Sequence, residues 1–144
     1  MSEKKPKIKN AEKIIFTTGK RKRAIARARF KLGTGKVTMN QKSIETIGNE
    51  LVKMKIKEPL MLMGDRAKGY DIIINATGGG IMGQIDAARQ AISRGFVEII
   101  GEEAKKTFLS YDRNLLVYDV RRTEPHKPPR SSQGPRRYKQ RSKR

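Results

Sequence analysis

Two groups of residues have types and spacings that could do chemistry. Three glycines at residues 78–80, followed by Gly83, match the G-x-G-x-x-G spacing with which dinucleotide-binding proteins hold a pyrophosphate. A run of four cations at residues 20–23, continued by Arg27 and Arg29, could contact successive phosphates of a nucleic acid. Both groups predict recognition of a phosphate, which belongs either to a small cofactor or to a polymer.

A dinucleotide site needs more than these glycines. In such sites a second parallel strand follows the helix and ends in an acid about 20 residues after the glycines. Here the pattern after Gly83 is helical and leads to residues 101–103, Gly-Glu-Glu. Two compatible interpretations of the glycines remain. They permit positive φ angles and close helix–strand packing, or their N–H groups at a helix N-terminus bind a backbone phosphate.

Other kinds of site find little support in the composition. The chain has no Cys and a single His, His126, which argues against disulfides, thiolate metal sites and a Ser-His-Asp triad. The acids Asp65, Asp71, Asp86 and Asp112 are scattered without the spacing of a catalytic pair. No apolar run approaches the ~20 residues that span a bilayer. We therefore expect no enzyme, cofactor, metal site, small-molecule substrate or membrane partner.

The distribution of charge favours a polyanionic partner. The formal net charge is +20. Residues 1–31 hold 12 Lys and Arg against 2 acids, residues 121–144 hold 10 against 1, and the 89 residues between hold 12 against 11. Like charges concentrated in this way repel one another unless a partner neutralises them. Nucleic acid is the first partner class that this pattern predicts.

Alternation of apolar and polar residues indicates the strands that position the cations. Residues 14–18 are β-branched and aromatic and predict a strand, which residues 19–22 interrupt. Residues 23–32 alternate strictly, with alanines, Phe and Leu on one face and mainly cations on the other. The glycines of residues 33–36 predict a hairpin turn, with residues 37–39 as the returning strand.

Helical spacing and a second strand complete the predicted body. Ser43 is expected to cap a helix that Pro59 ends, and residues 70–77 read as an inner strand. A short helix is expected over residues 101–110. The buried face of the first helix is predicted to hold Ile44, Ile47, Leu51 and Met54, and that of a long helix after the glycines to hold Ile85, Ala88, Ile92, Phe96 and Ile99.

Three segments are expected along the chain. Residues 1–12 form a basic N-terminal extension, residues 13–120 an α+β body that binds RNA, and residues 121–144 an extended basic tail. The tail holds 4 of the 6 prolines and cannot bury enough apolar surface to fold alone. Fully extended at ~3.3 Å per residue, it reaches about 80 Å, a distance that only a large partner uses.

Several blocks of this sequence together resemble the universal ninth small-subunit ribosomal protein family. The blocks are residues 18–28 (TGKRKRAIARA), 35–40 (GKVTMN), 75–84 (NATGGGIMGQ) and 88–94 (ARQAISR), and the resemblance extends from Thr17 onward. Residues 123–129 look like archaeal or eukaryotic members, whereas the terminal Ser-Lys-Arg resembles the bacterial ending.

The resemblance implies a fold and a role. The fold would be α+β, a mixed four-stranded sheet with helices packed on one face, similar to the second domain of small-subunit ribosomal protein five. The role would be structural and non-enzymatic, in the head of the small subunit of the cytoplasmic ribosome beside other head proteins. By position, the residues that would touch tRNA in the peptidyl site are Tyr138, Arg141, Ser142, Lys143 and Arg144. The residues expected to bind small-subunit rRNA are Lys20, Arg21, Lys22, Arg23, Arg27, Arg29, Gly78, Gly79, Gly80, Arg89, Arg94, Arg121, Arg122, Lys127, Arg130, Arg136 and Arg137.

Two rival functions share parts of this pattern. A free-standing nucleic-acid chaperone or condenser has the same charge distribution but should bind any duplex without preference. A small nucleotide-dependent enzyme would be built on the glycines and should bind a free nucleotide.

Overall fold

The computed structural model describes residues 14–47 and 49–123, which form a sheet and three α-helices. Short 3-10 helices at Ile44–Thr46, Gly64–Gly69 and Arg113–Leu115 link them. The strands and α-helices in chain order are β1 (Ile15–Arg21), β2 (Ala24–Leu32), β3 (Val37–Met39), β4 (Lys42–Ser43), α1 (Glu50–Met63), β5 (Tyr70–Thr77), α2 (Ile81–Ile100) and α3 (Glu102–Tyr111).

The sheet is mixed, with the strand order β1-β2-β5-β3-β4. β2 pairs antiparallel with β1 and with β5, and β5 pairs parallel with β3. The two-residue strand β4 pairs with β3 and adds a fifth strand to the four that were predicted. The predicted α+β class and mixed sheet are confirmed.

The core lies between one face of the sheet and α2. Ala24, Ala26, Ala28 and Phe30 of β2 are buried on this face, as the alternation predicts. α2 packs on β1, β2 and β5, while α1 and α3 pack on α2. The rings of Phe30 and Phe96 meet edge to face, 5.5 Å apart. Small residues on β2 therefore let a long helix lie close to the sheet.

The first hairpin is tighter than the sequence predicted. Residues 19–22 were predicted to interrupt the strand, but β1 continues to Arg21, which pairs with Ala24. Only Lys22 and Arg23 therefore form the turn. Gly19 belongs to the strand because β1 approaches α2 closely there. A Cβ at that position would overlap the carbonyl oxygen of Ala87. Close packing thus explains a glycine that otherwise reads as a strand breaker.

The predicted hairpin across residues 33–36 is wrong. β3 does not pair with β2, because β5 lies between them. Residues 33–36 instead lead past the start of β5, where the Gly33 N–H donates to the Gly69 carbonyl at 3.0 Å. β5 carries Ile72 and Ile74 on its buried face and the half-buried Ile73 on the other. Such a strand gains most by pairing on both edges, and this displaces β3 from β2.

The start, end and buried face of α1 also differ from the prediction. Its N-cap is Asn49, whose side chain accepts from the Leu51 N–H at 3.0 Å, whereas Ser43 precedes a 3-10 helix. Leu51 and Met54, predicted to be buried, are 55% and 66% exposed. Pro59 lies inside the helix and is buried, so its packing offsets the hydrogen bond that its ring removes. The residues that α1 buries are Val52, Ile56, Pro59 and Met63.

The remaining elements agree with their predictions. β5 covers residues 70–77 as an inner strand, and α3 follows α2 with Ala104 and Phe108 buried. α2 buries every residue of its predicted seam except Ile99, which is half-buried. Among the described helices, none combines the length and apolar character needed to cross a bilayer. The predicted extension at residues 1–12 and the predicted tail at residues 121–144, apart from its first three residues, lie outside the described residues, so the segment boundaries stay predictions.

Candidate nucleic-acid interface

The glycine block and the basic turn of the first hairpin are in direct contact. Gly78 and Gly79 have φ angles of +77° and +63°, which favour glycine. A Cβ on Gly78 would stand 2.6 Å from the Arg23 carbonyl oxygen, and one on Gly79 would stand 3.2 Å from the Ala24 nitrogen. The glycines therefore allow the turn between β1 and β2 to rest on the loop before α2. Their packing role is confirmed, and phosphate binding stays a prediction.

The N-terminus of α2 opens beside this turn. Gly80 is the N-cap and supplies no side chain to the first N–H groups of the helix. Ile81 in the first turn is 73% exposed, and Lys22 and Arg23 are also exposed. The first N–H groups of a helix have no partner within it, and the helix dipole makes this end positive. Two exposed cations of the turn thus lie beside the N-terminus of α2.

The topology contradicts the dinucleotide alternative. A dinucleotide fold requires a strand after the helix that follows the glycines, parallel to the strand before them. In the described part of the chain, α2 is followed by α3, and β5 pairs parallel only with β3, which precedes it. The G-x-G-x-x-G spacing therefore does not belong to a dinucleotide-binding unit here, and the close packing of the turn accounts for Gly78 and Gly79.

Arg89, predicted to bind rRNA, is engaged inside the fold. Its Nη2 donates to Glu58 Oε1 at 2.9 Å and to Asp112 Oδ2 at 3.0 Å, and its side chain is 16% exposed. The same Glu58 carboxylate accepts a hydrogen bond from the Tyr111 hydroxyl, and this bond raises the pKa of Tyr111. Two carboxylates thus neutralise Arg89 and join α1, α2 and the end of α3.

Arg94, also predicted to bind rRNA, bridges two distant backbone segments. Its Nε and Nη2 donate to the Leu116 carbonyl at 3.1 and 3.0 Å, and its Nη1 donates to the Thr18 carbonyl at 3.0 Å. Leu116 follows the last 3-10 helix, and Thr18 lies in β1. One guanidinium of α2 therefore fixes the segment after residue 115 to the edge strand.

The Asp119 carboxylate pairs with two further arginines of the predicted set. The carboxylate accepts from the Arg121 side chain and from its backbone N–H at 2.9 Å, and Arg21 Nη1 lies 2.8 Å from its Oδ2. These contacts, led by the hydrogen bond from the Arg121 side chain, hold the pKa of Asp119 well below its usual range. Arg21 of β1 is thereby paired with the segment that leads to the tail.

Tyr118 lies between two more of the predicted cations. Lys20 Nζ lies 5.9 Å from the centre of the Tyr118 ring, and the Arg122 guanidinium lies 5.7 Å from the same centre. Both are cation–π contacts. Arg122 Nε also donates to the Tyr118 hydroxyl at 2.9 Å. We call the set that holds residues 116–122 against β1 the tail anchor. Its members are Arg21, Arg94, Leu116, Tyr118 and Asp119.

Two side chains at the centre of the tail anchor, Tyr118 and Asp119, are not among the predicted site residues. Both fall in the near-neutral part of the chain between the two basic ends. A signal was present, since Asp119 is the last acid before the basic segment and stands two residues before Arg121. An acid at that spacing can accept from the backbone N–H and the side chain of the same arginine, as it does here.

The remaining predicted residues fall into two groups. Arg27 is exposed and Arg29 half-buried on the sheet face opposite α2. The predicted contacts that lie outside the described residues are Lys127, Arg130, Arg136, Arg137, Tyr138, Arg141, Ser142, Lys143 and Arg144.

In residues 14–47 and 49–123, no group of three or more His, Asp or Glu side chains is placed to hold a metal ion.

Comparison with known proteins shows the family. The family model described as ribosomal protein S9/S16 matches residues 19–144. The chain belongs to this family. It is 50% identical over 131 residues to the small ribosomal subunit protein uS9 of Methanococcus maripaludis (strain C7 / ATCC BAA-1331), covering 90% of this chain and 98% of the relative. It is 52% identical over 116 residues to the uS9 protein of Desulfurococcus amylolyticus, covering 80% and 83%.

Membership confirms the family resemblance seen in the sequence, and both of these relatives are archaeal proteins. The chain has a structural role in the small ribosomal subunit, which lies in the cytoplasm. This agrees with the prediction of a ribonucleoprotein component that takes part in translation.

Proposed function

We propose that the body binds small-subunit rRNA in the head of the subunit, chiefly through phosphates, and that the tail touches tRNA in the peptidyl site. The observation that supports rRNA binding most directly is the shared surface of the basic turn and the α2 N-terminus. There Lys22 and Arg23 lie exposed beside N–H groups that the helix itself does not use. Contacts of this kind fix the position of the protein on the RNA without reading its sequence.

The contacts within the fold divide the predicted cations into two roles. Lys22, Arg23 and Arg27 are exposed, and we assign phosphate contact to them. Three other arginines already bind carboxylates or backbone carbonyls of the protein, and we propose that they hold the binding surface in shape. They are Arg21, Arg89 and Arg94. Arg21 and Arg89 should add little to counterion release, because carboxylates already compensate their charge. Arg94 keeps its charge, but its guanidinium is directed to two backbone carbonyls of the protein.

The tail anchor gives the proposed tRNA contact a starting point. Residues 116–122 are held on β1, so the tail leaves the body beside the first hairpin. Beyond that point the tail is strongly basic and contains one aromatic residue, Tyr138. Aromatic and cationic side chains suit contact with the bases and phosphates of an RNA loop. The residues proposed to reach tRNA are Tyr138, Arg141, Ser142, Lys143 and Arg144.

Binding of the full chain to an rRNA fragment from the head, measured between 50 and 200 mM salt, tests the rRNA proposal. With six or more phosphate contacts, affinity should fall roughly 10³-fold or more across this range. Replacing Lys22 and Arg23 together by Ala should reduce the slope of log affinity against log salt by about two, since each lost phosphate contact lowers it by about one.

A matched control separates a phosphate site from general charge. Replacing Lys42 of β4 and Lys106 of α3 by Ala removes the same net charge from exposed positions on other elements. The proposal predicts a clearly smaller change in slope for this variant. Equal slopes for the two double variants, or a flat salt response of the original protein, would contradict it.

Two further measurements address the alternative function and the tail. A ribosomal component sediments with the small subunit in a cell extract, whereas a free chaperone or condenser stays at the top of the gradient and binds any duplex equally. Deleting residues 142–144 should weaken retention of peptidyl-site tRNA and leave the urea unfolding midpoint of the chain unchanged. Unchanged retention would remove the proposed tRNA contact.

A further inference from the structure

The face of the sheet that points away from α2 carries an exposed aromatic side chain. The three α-helices pack on the opposite side, directly on the sheet or on α2. On the open side, Phe16 is 68% exposed and Ile25 is 38% exposed, and Thr18 and Asn75 are also exposed. A phenylalanine exposed to this extent on a strand contributes little to the core of its own fold.

Phe16 is surrounded by cations through the register of the strands. It stands directly opposite Arg29 on β2, and Arg29 stands opposite Ile73 on β5. Arg27 and Lys31 are the diagonal neighbours of Phe16 on β2, at a Cβ separation of about 7–8 Å typical of such positions. Long cationic side chains reach across this spacing. The open sheet face is defined here by these residues: Phe16, Arg27, Arg29, Lys31 and Ile73.

The charge of this face is nearly all of one sign. The face adds Lys20 to the three cations on β2, and its acid is Asp71. The Asp71 carboxylate is already used, since it accepts from the backbone N–H groups of Thr34 and Lys36, both at 2.9 Å. The Nε of Arg29 is covered by its surroundings but has no hydrogen-bond partner among the described residues. Asp71 stands opposite Lys31 in the strand register, but among the described residues no ion pair joins an acid to Arg27, Arg29 or Lys31.

We propose that the open sheet face binds an unpaired nucleotide of RNA, with the base stacked on Phe16 and the flanking phosphates beside Arg27 and Lys31. The inference rests on the proposed rRNA binding and adds that the bound RNA is single-stranded at this face. A base inside a duplex shows only its edge, whereas an unpaired base offers its flat surface to an aromatic side chain. Thr18 places a hydroxyl next to Phe16 on β1, and Asn75 places an amide on the other side of Arg27.

The same features argue against a protein as the occupant. A protein interface over this face would bury several cations, and a buried charge without a partner is costly. Phosphates neutralise such cations wherever the chain of nucleotides runs, and stacking on an aromatic residue tolerates any base. A partner protein would need a matching row of acids, and it becomes one outcome of the test.

The test uses the full chain and a single-stranded RNA with one 2-aminopurine, beside a perfect duplex of the same length. Phe16→Ala should weaken binding of the single strand about tenfold, since stacking contributes about 1–3 kcal/mol per base. It should also abolish quenching of the 2-aminopurine on binding and leave duplex affinity unchanged. Phe16→Tyr keeps an aromatic ring and should retain both the affinity and the quenching.

Controls exclude trivial causes. Met61 is 73% exposed on α1, and Met61→Ala removes a similar exposed apolar side chain from another part of the surface. It should change neither affinity. Because Phe16 is so exposed, its Ala variant should also unfold at the same urea concentration as the original protein.

The outcomes separate this inference from the function on which it rests. Unchanged single-strand binding by Phe16→Ala, or an equal loss for single strand and duplex, would overturn the inference while the salt dependence at the basic turn stands. Absence of binding to any RNA would remove both. In the assembled small subunit, a photoreactive group at position 16 should crosslink to rRNA, and a crosslink to a protein would refute the stacking role.

Discussion

Removing the guanidinium of Arg94 should loosen the segment from which the tail leaves the body. Arg94→Leu keeps an apolar stem on α2 but deprives the carbonyls of Leu116 and Thr18 of their donors. A hydrogen bond to a charged group contributes about 1.5–3 kcal/mol, so two acceptors correspond to about 3 kcal/mol at the lower value. Arg94→Lys retains the charge but reaches one carbonyl at a time, and should lose about half as much.

Two assays on the full chain measure this effect. Urea unfolding followed by circular dichroism gives the change in the free energy of unfolding. Limited trypsin digestion reports whether cleavage after Arg121 and Arg122 accelerates, as expected once residues 116–122 are released. A Leu variant within about 0.5 kcal/mol of the original protein, the usual range for neutral surface changes, would refute the structural role of Arg94. Equal losses for Lys and Leu would refute the requirement for two simultaneous bonds.

Two other predictions concern packing and pH. Gly19→Ala should lower the free energy of unfolding by about 2 kcal/mol or more, because the new Cβ overlaps the backbone of α2, whereas Gly69→Ala, where a Cβ meets nothing within 4 Å, should change it by less than about 0.5 kcal/mol in urea unfolding. Equal effects at the two glycines would contradict the close approach of β1 and α2. Hydrogen bonds from the N–H groups of Lys36 and Thr34 lower the pKa of Asp71, so its stabilisation is complete above about pH 4 and is lost as the pH falls through the folded pKa. Urea unfolding from pH 7 to pH 3 should therefore show a smaller decline for Asp71→Asn than for the original protein, and identical declines would exclude this contribution.

The elements with a strong local pattern could be predicted from the sequence. The strict alternation of β2 and the seam of α2 each involve many residues, and no other arrangement buries them as well. The buried face of α1 could not be predicted in this way, because apolar residues stand at helical spacing on two of its faces. The choice of Val52 and Ile56 over Leu51 and Met54 was made by the position of α2. The pairing of β3 with β5 likewise depends on a strand that comes more than 30 residues later.

For the candidate site, the sequence shows which residues are charged, but it does not show which of them are free to contact a phosphate. From the sequence, Arg23 and Arg94 were both predicted to bind rRNA. Arg23 belongs to a basic run, and Arg94 lies on a predicted helix outside its apolar seam. In the fold, Arg23 is exposed in a turn, while Arg94 is held by two carbonyls. An arginine that stands near an acid or a free carbonyl in three dimensions is used by the protein itself, and sequence distance does not reveal that neighbour.

This division suggests how a chain with a net charge of +20 folds at all. The acids of the body do not dilute the positive charge evenly. Glu58 and Asp112 meet Arg89, and Asp119 meets Arg21 and Arg121, where helices and the outgoing chain would otherwise bring cations together. The cations left without such partners, including Lys22, Arg23 and Arg27, lie at the surface, where water and salt screen them until RNA replaces both. Glu58, Asp112 and Asp119 thus pair with cations where the chain must pack, while Lys22, Arg23 and Arg27 remain where a polyanion has access to them.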